Sequence, residues 1–229
     1  MNDEYKKNLN TALNIYENNY SHEELINMLK NGSDVEKQIS ALKLEKLTST
    51  EDAQVLIDNL TGRDGKIREA VSFKLKEFMS DNNYIKYFQT QENCNIFLDA
   101  ITDINGNICR NVISAIVNLK NNEEFCNKFC DLLVNLTTSL IEKIERFNIN
   151  DGKYKINKEI FKLYWCLEAI YYFSGKINIS ELTNIISKTK NINEYTIREK
   201  TAKILTQNFN NEKLQKYKKE LSLDRKSVV

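Results

Sequence analysis

The sequence contains no proline and only one histidine among its 229 residues. Strand-and-loop proteins usually place proline in some of their turns, so its absence favours helices joined by short polar turns. No apolar run approaches the ~20 residues of a membrane span. The polar residues 1–10 also lack the apolar core of a signal peptide. We therefore expect a cytoplasmic protein without a membrane partner.

The charges of the chain nearly cancel, with 33 basic residues against 32 acidic residues and a net charge of +1. Nucleic-acid-binding domains usually carry a clear basic excess, and this chain has none. The chain also lacks a basic amphipathic segment of the kind that binds membrane surfaces. The charge balance therefore argues against nucleic acid and lipid as partners.

Motifs that carry chemistry are missing as well. The sequence has no glycine-rich phosphate loop, no triad with a histidine and no zinc-ligand spacing. His22 is expected to be a solvated surface residue. The five cysteines are expected to be buried thiols, although Cys126 and Cys130 lie one helical turn apart and could contact one ion. We predict no enzymatic activity, no cofactor and no metal site.

One motif occurs twice in the chain. Residues 57–78 align without a gap with residues 98–119, and the alignment places Ile67 on Ile108 and Val71 on Val112. Repetition at a period of roughly 40 residues is typical of stacked-helix solenoids. This repeat is the main evidence for the fold in the sequence.

Each copy is predicted to fold as helix, turn and helix. The first helix should end near Thr61 or Thr102, and the turn contains Gly65 or Gly106, where a positive φ would cost little. The second helix of the first copy has an apolar stripe that should pack on its partner helix. The stripe consists of Ile67, Val71, Leu75 and Phe78.

The chain as a whole reads as a capping helix over residues 1–20 followed by about five helical pairs. Ser21 and Glu24 form a capping box for the first pair, whose second helix has Asp34 as the expected N-cap and Leu42 among its inward residues. The other pairs are predicted at 51–60 with 66–79, 95–102 with 107–119, 123–147 with 157–173, and 180–189 with 194–209. Residues 80–93 are interpreted as an insert and 212–223 as a last helix. Residues 1–223 are predicted to be one domain, and residues 224–229 resemble a translated sequencing adapter, so we interpret them as a non-native tail.

The helical pair resembles the HEAT repeat. The Ile67–Arg68 and Ile197–Arg198 pairs match the aliphatic–Arg pair that opens the second helix of that repeat, and Asp103 matches its Asp. Gly62 and Cys109 depart from the pattern, and the proline common in the family is absent. The resemblance implies an all-α, right-handed α-α superhelix of about five pairs. It also implies an inter-repeat contact between Arg68 and Asp103.

In HEAT-like stacks the second helices usually line the concave, ligand-binding side. The residues predicted on this face are Glu69, Phe73 and Lys76 in the second pair, Arg110 and Ser114 in the third, Lys158, Lys162 and Trp165 in the fourth, and Lys203 in the fifth. The equivalents in the first pair are Lys37, Ala41 and Leu44. The stripe has mixed charge, and exposed aromatic and Arg residues dominate many protein interfaces. We hypothesise a non-enzymatic scaffold that binds another protein or peptide.

Two alternatives stay open at this stage. Phe73 and Trp165 could instead pack against a neighbouring repeat. Trp165 and Glu168, beside Lys158 and Lys162, also resemble the lesion site of HEAT-like DNA alkylation-repair glycosylases. Such enzymes need a positive groove, which Glu69 and Glu199 would interrupt. The oligomeric state is left open.

Overall fold

The computed structural model describes residues 3–147, 152–208 and 211–217. Every regular element in these ranges is helical, which confirms the predicted all-α class. The helices are α1 (Asp3–Glu17), α2 (His22–Asn31), α3 (Asp34–Lys43), α4 (Thr50–Asp58), α5 (Gly65–Met79), α6 (Cys94–Ala100), α7 (Gly106–Ile116), α8 (Glu123–Arg146), α9 (Lys153–Phe173), α10 (Ile179–Thr189) and α11 (Tyr195–Gln207). Residues 212–217 are also helical. Among the helices of these ranges, none is both long and apolar enough to cross a bilayer.

The predicted helices match these bounds closely, with three exceptions. Helix α9 begins at Lys153 and not at residue 157, and α4 and α6 end before Thr61 and Thr102. The predicted insert contains a 3₁₀ turn, Ile85–Phe88, which packs on α4 and α5 and buries Phe88 completely. The predicted tail 224–229 and the end of the last predicted helix lie outside the described residues.

The helices group into two compact units. The first unit holds α1 to α7, and the second holds α8 to α11 together with Ile101–Ile104. In the first unit α3 packs against α2 and α5, and α5 packs against α7. In the second unit α9 packs against both α8 and α11. The assignment of residues 1–223 to one domain stays a prediction.

The capping box at Ser21 and Glu24 is confirmed, but the predicted cap of α3 is wrong. Ser33, not Asp34, is the N-cap, because its hydroxyl accepts from the Glu36 N–H while the Glu36 carboxylate accepts from the Ser33 N–H at 2.7 Å. This second capping box satisfies two backbone donors that would otherwise lack partners. Asp34 is therefore the first residue of the helix.

The turn glycines also act differently from the prediction. Gly65 and Gly106 are the first residues of α5 and α7, and no described residue has a positive φ. The turn ends at Asp64, whose carboxylate accepts from the N–H groups of Lys66 and Ile67 at 2.7 and 3.0 Å. Asn105 caps α7 in the same way, so a side-chain cap and not a left-handed glycine opens both helices.

The predicted apolar stripe is confirmed. Leu75 and Val71 are fully buried, and Ile67 and Phe78 are at most 8% exposed. All five cysteines are buried thiols, as expected. Leu42, by contrast, was wrongly placed inward, because α3 buries Ser40 and Ala41 and leaves Leu42 44% exposed.

Candidate functional site

A groove of about 480 Å³ lies across α3, α5 and α7 of the first unit. These are the second helices of the first three predicted pairs, which are the helices predicted to carry a binding face. Its lining residues are Gln38 and Leu42 from α3, Lys66, Glu69, Ala70 and Phe73 from α5, and Asn107 and Asn111 from α7.

Two large apolar side chains give this groove its hydrophobic surface. Phe73 is 53% exposed and Leu42 is 44% exposed, and both line the groove. Lys66, Ala70 and Phe73 share one face of α5 because they are spaced by about one helical turn. Exposure of Phe73 answers the question left open by the sequence, since this aromatic ring is not packed inside the first unit.

A polar network fastens α5 to α7 along the groove. The Glu69 carboxylate accepts hydrogen bonds from the side-chain amides of Asn107 and Asn105 at 2.9 and 3.3 Å. The amide of Asn111 donates to the Ser72 hydroxyl at 3.2 Å. Arg110 extends the network by donating to Asn107 Oδ1 at 3.2 Å. Because amides and not a cation bind Glu69, the groove keeps a carboxylate charge on one side.

Two polar side chains of the groove have hydrogen-bonding capacity left over. Within the described part of the chain, the Gln38 amide and the Lys66 ammonium make no hydrogen bond or ion pair. A primary amide offers both donors and an acceptor, and an ammonium offers three donors. These groups can therefore bind a ligand without first breaking an internal contact.

Several of the predicted site residues are exposed but lie outside this groove. Lys76 and Arg110 are exposed in the first unit, as are Lys158 and Lys203 in the second, where Lys162 is half-buried. Ser114 donates its hydroxyl hydrogen to the Arg110 carbonyl at 2.8 Å. In the first pair the predicted register is wrong by one residue, because Gln38 and Leu42 line the groove, whereas Ala41 and Leu44 are buried.

Trp165 was a candidate for the concave face, with packing left open, and the structure shows that it is packed. Only 7% of this residue is exposed, and its ring packs edge-on against Tyr164 and Phe161, with centroids 5.2 and 6.2 Å away. Helix α9 is covered by α8 on one side and by α11 on another, so two of its faces are buried. A helical wheel shows which residues share a face but does not show how many neighbours cover the helix.

The two Arg residues of the repeated Ile–Arg pair have the same structural role. Arg68 donates to the Gly62 carbonyl at 2.7 Å, and Arg198 donates to the Ile192 carbonyl at 3.1 Å. Arg68 also reaches the Arg63 carbonyl at 3.0 Å. Each Arg thus reaches back from the first turn of its helix and holds the preceding turn. The predicted contact between Arg68 and Asp103 stays a prediction.

A second cleft, of about 890 Å³, lies beside α2 and the start of α4. His22 Nε2 lies 2.8 Å from Asp52 Oδ2, and the same oxygen accepts from the Thr48 hydroxyl and N–H at 2.7 and 2.8 Å. Burial opposes ionisation of Asp52, but these hydrogen bonds outweigh it and lower the pKa of its carboxyl group. His22 is therefore not the solvated residue expected, since its side chain is 17% exposed.

Glu168 and Glu199 of the second unit are each paired with a lysine. Glu168 binds Lys200, which is buried and lies 4.7 Å from the centroid of the Tyr164 ring. Glu199 pairs with Lys203 at 2.9 Å, and this hydrogen bond raises the pKa of Lys203. Glu168 therefore holds a structural lysine in place. In the described ranges no group of His, Cys, Asp and Glu residues is arranged to hold a metal ion.

Comparison with known proteins leaves the family open. No protein-family model and no curated protein sequence matches the chain. The structure is similar to the crystal structure of an engineered protein solved by the Northeast Structural Genomics Consortium, with a TM-score of 0.45 and 13% sequence identity. That match covers 91% of this chain and 98% of the engineered protein.

Proposed function

We propose that this protein is a non-enzymatic, HEAT-like scaffold that binds a peptide segment of another protein in the groove across α3, α5 and α7. The proposal includes a right-handed superhelix of helical pairs, with this groove on its concave side. The observation that carries it is the exposure of Phe73 beside Leu42 in a groove where hydrogen bonds join α5 to α7. Exposed aromatic residues on a rigid surface are frequent centres of protein interfaces.

The chemistry of the groove indicates the kind of peptide. An apolar side chain of the peptide would pack between Leu42 and Phe73 and remove both from water. The amide of Gln38 would pair with a peptide N–H and C=O group, as primary amides can donate and accept at once. Lys66 would favour an acidic residue next to the apolar one, whereas the charge of Glu69 would disfavour a second acidic residue close to α7.

Selection from a displayed library of random peptides tests this proposal. We expect enrichment of sequences with an apolar residue beside an acidic one. The Phe73→Ala change should weaken the binding of a selected, labelled peptide by roughly 30-fold or more. This factor corresponds to a loss of ~2 kcal/mol in binding free energy, as is typical of a hot-spot residue. Fluorescence anisotropy with the synthetic peptide measures the affinity.

The matched control is Tyr195→Ala, since Tyr195 is an aromatic residue of similar exposure, 58%, in the second unit. This variant should bind the selected peptide with unchanged affinity. Equal affinity for the Phe73→Ala variant would refute the groove as the binding site. An affinity pull-down from a cell extract tests the alternative. If the protein recovered only nucleic acid, and moderate salt released that nucleic acid, the repair-like alternative would replace the scaffold proposal.

A further inference from the structure

The first helix, α1, has an apolar stripe that no described part of the chain covers. Tyr5, Leu9, Leu13 and Tyr16 are 57%, 42%, 45% and 74% exposed. Their spacing places all four on one side of the helix, within about a quarter of its circumference. Single exposed apolar residues are ordinary, but a continuous stripe of four large ones is characteristic of an interaction surface.

This stripe is separate from the side by which α1 packs on the first unit. Ile15 is 2% exposed and faces the protein, and α1 contacts α3. At the end of α1, Lys43 Nζ donates to the carbonyls of Ile15, Tyr16 and Asn18 at 2.8, 3.0 and 2.8 Å. The helix is thus anchored to α3 and presents its stripe in a fixed orientation.

The order of residues along the stripe is the same in both directions: Tyr, Leu, Leu, Tyr. If two copies of α1 pack antiparallel about a two-fold axis, Leu9 of each copy faces Leu13 of the other. Tyr5 of each copy then lies level with Tyr16 of the other. A surface that is complementary to itself is what a two-fold symmetric interface requires.

The charges beside the stripe fit the same arrangement. Lys6 follows Tyr5 and Glu17 follows Tyr16, so both lie along the same edge of the stripe at opposite ends. Both are exposed, and neither forms an ion pair within the described residues. The two-fold axis brings like edges together and reverses the ends. Lys6 of each copy therefore lies beside Glu17 of the other copy. The two-fold axis thus produces two equivalent ion pairs, one at each end of the contact.

We infer that α1 is the contact surface of a homodimer, in which two copies of the helix pack antiparallel through Tyr5, Leu9, Leu13 and Tyr16. A lipid surface fits this helix less well. Helices that lie on membranes have a basic polar face, whereas α1 places Asp3, Glu4 and Glu17 against Lys6 and Lys7. The proposal is independent of the peptide-binding groove, since it uses different residues and a different helix.

Sedimentation velocity over a range of protein concentrations tests the homodimer. We expect reversible dimerisation, with a dissociation constant on the order of micromolar because one helix per copy makes a small interface. The Leu9→Asp/Leu13→Asp variant should raise that constant at least about 100-fold, since it buries charge at the centre of the contact. Circular dichroism should show unchanged helix content, because both leucines are exposed. The matched control is Tyr172→Asp, which places the same charge on a large side chain of similar exposure, 44%, in the second unit and should leave dimerisation unchanged.

Charge exchange tests the antiparallel arrangement. Lys6→Glu and Glu17→Lys should each weaken dimerisation by about tenfold, because each places like charges together at both ends of the contact. The Lys6→Glu/Glu17→Lys double variant should recover the original affinity. A protein that stays monomeric at every concentration would overturn the proposal, as would a dimer that tolerates Leu9→Asp/Leu13→Asp. Failure of the double variant to recover would overturn the antiparallel pairing.

Discussion

At the scale of single residues, Gly32 shows that a glycine can be required by space and not by backbone angle. It caps α2 with a φ of −73°, which any residue can adopt. A Cβ atom at this position would lie 2.5 Å from the Met28 carbonyl oxygen and 2.8 Å from the Glu36 Cβ. Because backbone cannot move aside cheaply, the turn between α2 and α3 needs a residue without a side chain.

We therefore predict that Gly32→Ala lowers the free energy of unfolding by about 1–3 kcal/mol, as overpacking usually does. Urea denaturation followed by circular dichroism measures the change. Gly62→Ala is the matched control, since a Cβ atom there meets nothing within 4 Å, and its effect should stay within about 0.5 kcal/mol. Equal effects of the two substitutions would contradict the steric explanation.

The lowered pKa of Asp52 predicts how the stability of the fold changes at low pH. Its pKa is lower in the folded protein than the value of ~3.9 typical of an unfolded chain. A lowered folded pKa means that ionised Asp52 stabilises the fold above about pH 4 and that this stabilisation is lost as the pH falls through the folded pKa.

Asp52→Asn should cost about 1–3 kcal/mol near neutral pH, because it replaces the ionised oxygen that binds His22 and Thr48 by a neutral amide oxygen, and hydrogen bonds to charged groups are the stronger ones. The difference from the original protein should shrink as the pH falls below about 4. Urea denaturation across this range is the measurement. Asp58→Asn is the control, because it changes an exposed carboxylate on the same helix. Its free energy of unfolding should differ little from that of the original protein. A constant deficit for Asp52→Asn at all pH values would exclude the ionised carboxylate as the cause.

At the scale of elements, Lys43 does for α1 what a capping residue does for most helices. Its ammonium group binds three carbonyls at or just beyond the end of α1, and these carbonyls have no donor within the helix. One side chain from α3 thus both ends α1 and attaches it to the first unit.

We predict that Lys43→Met, which keeps the length of the side chain, loosens α1 selectively. Amide hydrogen exchange in α1 should become about 10- to 100-fold faster, corresponding to the loss of charge-assisted hydrogen bonds worth ~1.5–3 kcal/mol. Exchange in α5 and α7 should not change. Lys46→Met removes a nearby exposed lysine and should leave α1 protected. Uniform acceleration across the first unit would mean that Lys43 supports the whole unit and not α1 alone.

The sequence predicted elements better than it predicted surfaces. The repeated stripe placed Val71, Leu75 and Ile116 in the core, because burial on one helix face leaves a periodic pattern. Trp165 was misplaced because the pattern of α9 does not reveal that two helices cover it. The contact of His22 with Asp52 left no pattern in the sequence, since it joins residues on different helices. The face of α5 that contains Phe73 was predictable, but its partner Leu42 was not, because the first pair was aligned with the second one residue out of register.

At the scale of the whole molecule, the described residues form two compact units. Leu75 is fully buried in the first unit and Leu163 is fully buried in the second. We predict that Leu75→Ala and Ile116→Ala in the first unit, and Leu163→Ala in the second, each lower the free energy of unfolding by ~2–4 kcal/mol. Urea denaturation is the measurement, and Leu42→Ala, at an exposed leucine, should cost less than ~1 kcal/mol. A cost below ~1 kcal/mol at Leu75 or Ile116 would show that the repeated stripe does not form the core.

The buried thiols can report when each unit opens, because each unit contains its own cysteines. Cys94 and Cys109 belong to the first unit, whereas Cys126, Cys130 and Cys166 belong to the second. Burial raises the pKa of Cys126 and Cys130, and it raises the pKa of Cys166 to about 12, so these thiols are protonated as well as shielded at neutral pH. Alkylating reagents attack the thiolate and need access to it. A short pulse of such a reagent therefore alkylates the cysteines of whichever unit is open during the pulse. Mass spectrometry then identifies the alkylated cysteines, and no engineered label is needed.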